Sequence, residues 1–239
     1  MAGDTAPRRV ERRRVLANVG LFSHLDDAEL DALLQVTSSR RLAEGEVLFR
    51  KGDPGRQLHG VVEGRLKISS SNPDGKEVVF GLSDPGDVTG EIALLDAGPR
   101  SATVVALAPT ELLTLDRRDF LPFLESHPKV AIRLAEILAA RLRRLSELAE
   151  DSVLLALSPR LAKKLVALAR SYGRETPEGT RIELKLSQQT LGEMVGTSRE
   201  SINKQLRAWA SAGLVTVGPG RVTVCDLERL ESLARFALD

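Results

Sequence analysis

The chain reads as an α+β protein in two parts, and three features of the sequence predict this. Short β-branched segments recur between turn residues in the first half, a long helical repeat follows, and the last third holds two short helices and a β-hairpin. A length of 239 residues suits one large or two medium domains with proper cores. The expected divisions are a basic N-terminal segment at 1–20, a β-rich domain at 21–126, a long helix with its hinge at 127–156, and a helical-hairpin domain at 157–239.

The Arg-rich start (Arg8, Arg9, Arg12, Arg13, Arg14) either extends a first helix or forms a loose basic tail. It has no apolar h-region, and no run in the chain is long enough to span a bilayer, so a cytoplasmic protein with no membrane association is expected. Asp26 to Val36 is a short amphipathic helix that turns Leu30, Leu33 and Leu34 inward. Strands are expected at Glu46 to Arg50, Leu58 to Glu63, Arg65 to Ser69, Glu77 to Leu82, Ala102 to Leu107 and Glu111 to Leu115. Turns such as Lys51-Gly-Asp-Pro-Gly55 and Asn72-Pro-Asp-Gly75 separate them, which describes a jelly-roll-like sandwich or barrel.

Between two of those strands runs Gly90-Glu-Ile-Ala-Leu-Leu-Asp-Ala-Gly-Pro-Arg-Ser101. A helical turn here would aim backbone N–H groups at an anion, with Arg100 as a clamp and Ser101 as a hydroxyl donor. Glu91 could accept a hydrogen bond from a sugar hydroxyl. On chemistry alone two readings stand: a phosphate-and-ribose cradle, or a loop closed by a Glu91–Arg100 ion pair.

From His127-Pro128 to about Ala156 the chain forms one long helix, with Leu134, Leu138, Leu142, Leu145 and Ala149 three or four apart. That stripe is either a coiled-coil seam or a face packed on the helix's own barrel. Ser158-Pro159 is the pairing of N-cap and first-position proline that starts a new helix, which puts the hinge at Leu154 to Leu157.

Ser187 to Trp209 reads as two helices joined by a tight turn, with Leu191, Val195, Ile202 and Leu206 as the apolar stripe. Ser187 and Ser198 are N-caps, and Gly196 supplies positive φ between the helices. Arg199, Glu200 and Lys204 stand at the exposed start of the second helix. The spacing fits a helix-turn-helix, whose second helix enters the DNA major groove; a plain helical hairpin with solvated charges is the alternative. The residues after Trp209 decide for DNA. Gly213 to Val217 and Arg221 to Cys225 are β-branched strands around Gly218-Pro-Gly220, a wing that braces such a helix. From Ser152 onward there are 13 Lys and Arg against 9 Asp and Glu, a basic balance that the overall +1 conceals.

The single cysteine, Cys225, placed in the wing's second strand, excludes disulfide frameworks and cysteine-rich metal or iron–sulfur sites. His24, His59 and His127 show no ligand spacing, so no metal, haem or iron–sulfur cluster is expected. No nucleophile–base set or Walker loop appears, and no enzyme is expected.

The segment GEIALLDAGPRSATV looks like the phosphate-binding cassette of cyclic-nucleotide-binding domains. With the hairpin containing SRESINK, the chain resembles the cyclic-AMP receptor protein (Crp/Fnr) family of bacterial transcription regulators, over nearly everything after the first ~20 residues. The resemblance implies a β-roll sensor domain, a long dimerisation helix and a winged helix-turn-helix that works on RNA polymerase as a homodimer. Gly90 and Glu91 match the ribose-binding pair, Arg100 and Ser101 match the residues that hold the cyclic phosphate, and Ile92 and Ala93 count with them. On the long helix Arg141 matches the arginine that pairs with the cassette glutamate. The Thr-Ser pair with which cyclic-AMP receptors bind adenine falls at Leu145 and Ser146, and leucine can neither donate nor accept. The implied ligand is a cyclic nucleotide, cyclic AMP first, with cyclic GMP, cyclic di-GMP or loss of ligand dependence as the alternatives.

The resemblance also implies a TGTGA-like half-site repeated as a palindrome. Arg199 and Lys204 would donate to guanine, Glu200 would accept from cytosine, and Ser201 would meet a phosphate. Ser187, Gln188 and Ser198 are counted with this surface. The family commonly has Arg where Lys204 stands, and the point charge of lysine relaxes discrimination at one base.

Overall fold

A computed structural model describes residues 6–235. One compact unit takes in the chain to Ser70 and again from Phe80 to Arg141, and the second takes in Ser71–Val79 and the chain from Leu142 onward.

The first unit opens with α1 (Ala6–Ala17) and α2 (Asp27–Gln35). The arginine-rich start is therefore helical from Ala6. Arg13 pins the two helices together, reaching Asp27 and Asp31 of α2 at 2.6 Å each. A capping box of Asp26 and Glu29 starts α2, and Leu30, Leu33 and Leu34 are buried beneath it. Eight strands come next: β1 (Thr37–Leu42), β2 (Val47–Phe49), β3 (Gln57–Glu63), β4 (Leu66–Ser71), β5 (Glu77–Ser83), β6 (Val88–Thr89), β7 (Thr103–Ala106) and β8 (Thr110–Asp116). The short helix α3 (Glu91–Asp96) interrupts them, and α4 (Arg117–Ser126) closes the series.

The strands form two four-stranded sheets, ordered β1-β8-β3-β6 and β2-β7-β4-β5. β8 is the centre of the first, pairing antiparallel with β1 from Thr37↔Leu115 to Leu42↔Thr110 and with β3 from Gln57↔Asp116. Alternation along these strands divides the core in two. Leu42, Leu48, Val61, Leu66, Val104, Ala106 and Leu112 fill the interior of the roll. Leu58, Leu113 and Leu115 face outward instead, joining Leu16, Leu33, Phe120 and Leu134 of the helices. Phe22 meets Phe120 edge-on at 6.3 Å in that second cluster.

Helix α5 (Pro128–Leu154) continues from the roll and is 27 residues long. Its apolar stripe changes character along its length. Val130 and Leu134 are buried, whereas Leu142 is 66 % exposed and Leu145 44 % exposed.

In the second unit α6 (Leu157–Tyr172) leads to the strands β9 (Gly173–Thr176) and β10 (Gly179–Ile182), and then to α7 (Gln188–Val195) and α8 (Arg199–Ser211). The strands β11 (Val215–Gly218) and β12 (Arg221–Val224) and helix α9 (Leu227–Arg235) complete it. One sheet, ordered β11-β12-β10-β9, backs the helices. Two details differ from expectation. Helix α6 begins at Leu157 with Ala156 as its cap, so Ser158 lies inside the first turn and makes no cap bond. Pro159 is accommodated there because the first helical N–H groups have no intrahelical acceptor to lose. Cys225 lies just beyond the end of β12 and is partly buried, with its Sγ near the carbonyl of Thr223 at 3.9 Å.

Candidate functional site

The loop leaving β6 is forced into shape by Gly90, whose φ of 85° lies in the left-handed region. A side chain there would also collide with the Arg100 guanidinium and the Gln57 carbonyl. The turn delivers Glu91 into the interior at the start of α3, with only 3 % of its surface exposed. Ala93 is buried beside it, whereas Ile92 points outward. Glu91 Oε1 lies 2.5 Å from Arg141 Nη1, and Arg141 Nη2 donates to the Val88 carbonyl. A buried carboxylate is thus neutralised from α5, and the loop closed by Glu91 and Arg100 is not the arrangement found.

Arg100 is itself buried, at 5 % exposure. Its backbone is fastened to the loop after β2: its N–H donates to the Asp53 carbonyl and its carbonyl accepts from Gly52, both at 2.8 Å. Its Nη1 donates to the Gly90 carbonyl at 2.9 Å. Its Nε is buried and has no hydrogen-bond partner among the described residues. Burial pushes the guanidinium pKa down, against the opposing pull of Glu91 and Asp53. Guanidinium remains charged in proteins, so the site holds a desolvated cation with a donor to spare. An anion is the group that would complete it. Ser101, the next residue, is exposed.

Two neighbours carry no signal in the sequence. Phe49 of β2 lies under the guanidinium, its ring centre 4.1 Å from Arg100 Cζ. His59 of β3 has its ring centre 6.0 Å from that of Phe49 and is 1 % exposed, with Nδ1 3.0 Å from Thr114 Oγ1. Burial first, then Arg100 and Arg40, lower the His59 pKa to about 3, so the imidazole is neutral at ordinary pH. Only the pairing of β2 with β7 and of β3 with β8 brings these residues near Arg100, and that register is a tertiary fact. Farther along α5, Leu145 and Ser146 are exposed in this single chain.

In the second unit Ser187 caps α7, its Oγ accepting from the Thr190 N–H at 2.9 Å, and Gln188 is the first helical residue. Gly196 ends α7 at φ 73°. Ser198 caps α8, accepting from the Ser201 N–H at 3.1 Å, and the two serine hydroxyls lie 2.9 Å apart. Leu191, Val195, Ile202, Leu206 and Trp209 are buried and hold the two helices against each other. Arg199, Glu200 and Lys204 are exposed at the start of α8, with no ion pair to one another among the described residues. The wing turn is fixed close by, where the Leu186 N–H donates to the Gly220 carbonyl at 2.9 Å.

No helix among the described residues is long and apolar enough to cross a membrane, and no group of three or more His, Cys, Asp or Glu there could hold a metal ion. A sensor roll with a buried anion-seeking cation, followed by a winged helix-turn-helix, defines a ligand-sensing regulator of transcription. The family model for the cyclic nucleotide-binding domain matches residues 39–127, and that for the Crp-like helix-turn-helix domain matches residues 159–233. The chain belongs to the Crp/Fnr family of cyclic-nucleotide-binding, DNA-binding transcription regulators, which are not enzymes.

Among its relatives, the cyclic AMP receptor protein of Thermus thermophilus is 36 % identical, over 90 % of this chain and 96 % of its own. The CRP-like cAMP-activated global transcriptional regulator of Mycobacterium tuberculosis is 29 % identical, over 92 % of this chain and 99 % of its own. In fold the chain is also similar to the c-di-GMP responsive global regulator CLP of Xanthomonas campestris. That likeness has a TM-score of 0.77 at 24 % identity, over 84 % of this chain and all of that one.

Proposed function

We propose that this protein is a homodimeric cytoplasmic transcription regulator gated by a cyclic mononucleotide, cyclic AMP before others. The observation that carries this is the desolvated Arg100, which lies beside Gly90 and Glu91 and whose Nε lacks an acceptor among the described residues. In this account Arg100 and Ser101 hold the cyclic phosphate, and Glu91 accepts from a ribose hydroxyl while Arg141 pairs with its carboxylate. Ile92 and Ala93 form part of the same cassette. Relatives from two genera are named for cyclic AMP, which favours that nucleotide over cyclic GMP. Leu145 offers the base no hydrogen bond, so base recognition rests on Ser146 and on apolar packing.

Residues Leu142, Leu145, Val153 and Leu154 of α5 are exposed apolar groups on an otherwise amphipathic helix, and a second copy of the chain covers them. The pair then offers two recognition helices to successive major grooves of a TGTGA-like palindrome, with half-site centres about 34–36 Å apart. Arg199, Glu200 and Lys204 read bases, while Ser187, Gln188, Ser198 and Ser201 approach the phosphates. RNA polymerase is the partner on the promoter. Because Arg141 joins the cassette to α5, a ligand that prefers one arrangement of Glu91 biases α5, through its differential affinity for two states.

A second reading has its own support. The Glu91–Arg141 pair satisfies both charges within the protein itself, as a scaffold in a ligand-independent regulator would require. Calorimetric titration of the purified protein with cyclic AMP, cyclic GMP and cyclic di-GMP separates the two. Saturable micromolar binding of a cyclic mononucleotide supports gating; heat of dilution alone from all three supports the scaffold.

A further inference from the structure

The cassette motif ends at Arg100 and Ser101, yet besides the Gly90 carbonyl the contacts that determine where the Arg100 guanidinium lies come from β2 and the loop after it. Four observations converge on that point. The guanidinium carbon is 4.1 Å from the centre of the Phe49 ring, within the range for a cation over an aromatic face. Backbone bonds from Gly52 and to Asp53 hold residue 100 against the loop that begins one residue after Phe49. Gly55 lies so close that a Cβ there would meet Ala93 Cβ and come within 3.0 Å of Arg100 Cδ and Nε, so the guanidinium stem is walled in on that side. The His59 ring neighbours Phe49, with centroids 6.0 Å apart and planes tilted by 30°, and is itself held by Thr114. No carboxylate lies within ion-pair distance of Arg100 among the described residues; Glu91 and Asp53 act on it from farther off, and the groups in direct contact with this buried cation are the Gly90 carbonyl and the Phe49 ring face.

We propose that Phe49 is a positioning residue of the anion subsite: its ring, with His59 beside it, holds the Arg100 guanidinium flat and pre-aimed at a nucleotide phosphate. The inference rests on the cyclic-nucleotide reading of the cassette. An aliphatic side chain at position 49 preserves the apolar core contact but supplies no ring quadrupole and no flat platform. The guanidinium then samples other rotamers, and part of the binding free energy goes into re-ordering it. Aromatic substitution keeps the platform, so the effect follows aromaticity and not bulk.

The test compares wild type, Phe49→Leu and Phe49→Trp by calorimetry, with cyclic AMP and with adenosine, which carries the sugar and base but no phosphate. Thermal melts of each variant confirm folding. A desolvated cation–π contact corresponds to about a 10–30-fold change in affinity. Phe49→Leu is therefore expected to weaken cyclic AMP by about that factor while adenosine binding changes less than about twofold, and Phe49→Trp to stay within a few-fold of wild type.

Equal loss for both ligands, or loss in Phe49→Trp as large as in Phe49→Leu, shows a general packing role and overturns the proposal, as does unchanged cyclic AMP affinity in Phe49→Leu. A ligand-free check uses the Arg100 Nε–Hε resonance of the wild-type protein. The ring should shift it upfield, and Phe49→Leu should abolish the shift; no shift in wild type also overturns the proposal. If wild type binds neither cyclic AMP nor cyclic GMP, the cyclic-nucleotide reading fails and this inference falls with it. That outcome is distinct from one in which wild type and Phe49→Leu bind equally well.

Discussion

Removing Arg141 isolates the link between the cassette and α5. Glu91 is 3 % exposed, and its nearest counter-charge is Arg141 Nη1 at 2.5 Å. Arg141→Leu leaves a buried carboxylate without that partner and deprives the Val88 carbonyl of a donor. Breaking a buried pair from one side costs about 3–5 kcal/mol. The Arg141 side chain is 28 % exposed, so water enters once it is gone, and we place the cost at about 2–3 kcal/mol. Urea denaturation of the ligand-free protein at pH 7 measures it. The charge argument makes a second demand. Glu91→Gln in the Arg141→Leu background removes the stranded charge and should recover about 1–2 kcal/mol, although Glu91→Gln alone destabilises. Strictly additive single and double variants, or a loss under about 0.5 kcal/mol for Arg141→Leu, would refute the reasoning.

The same geometry sets three further outcomes. Arg100→Met exchanges a buried cation for an apolar chain of similar reach. Free-protein stability should change little or rise, by about 0–2 kcal/mol, while cyclic AMP binding is lost, and a drop beyond about 2 kcal/mol would mean that the cation is structural. For His59 the folded pKa of about 3 lies below its ordinary 6.5, so the neutral ring is the native form. Its contribution is complete above pH 6.5 and is lost as pH falls from 6.5 towards 3, by about 1.4 kcal/mol per pH unit. Stability–pH curves of wild type and His59→Phe should therefore converge on acidification, and parallel curves would contradict the assignment. Arg199→Ala should cost about 1–3 kcal/mol of specific DNA binding and relax preference at one base pair, whereas equal loss on every sequence would assign Arg199 to the backbone.

Much of the architecture is legible because its signals are local. The caps Ser187 and Ser198, the turn at Gly196 and the stripe from Leu191 to Leu206 lie within one contiguous stretch, and they draw the helix pair directly. Elements without a strong local pattern escape such a reading. β1 (TSSRRL) buries only its two end residues, β6 is two residues long, and α4 carries Pro122 in its interior. The hairpin of β9 and β10 shows one buried residue in eight and so no alternation to follow. The Ser158-Pro159 pair marks a new helix, but that helix begins at Leu157 with Ala156 as its cap, because proline is tolerated anywhere in the first turn.

For the cassette, the residue types of Glu91 and Arg100 announce anion and sugar chemistry, while their actual partners are decided by distant elements. Arg141 reaches Glu91 from 50 positions along the chain, and the resemblance, not the local sequence, points to it. Phe49 and His59 are ordinary strand residues until the sheets form, when register sets Phe49 beneath Arg100 and His59 beside Phe49.

The central claim is that occupation of the cassette controls DNA binding. The most direct measurement is the affinity of the full-length protein for a TGTGA palindrome, by fluorescence anisotropy at fixed salt, with and without saturating cyclic AMP. The account predicts that the nucleotide tightens binding by at least about fivefold, corresponding to a coupling of about 1 kcal/mol or more, and that Arg100→Met abolishes this increase. Equal, high affinity in both conditions, with Arg100→Met indistinguishable from wild type, would contradict it.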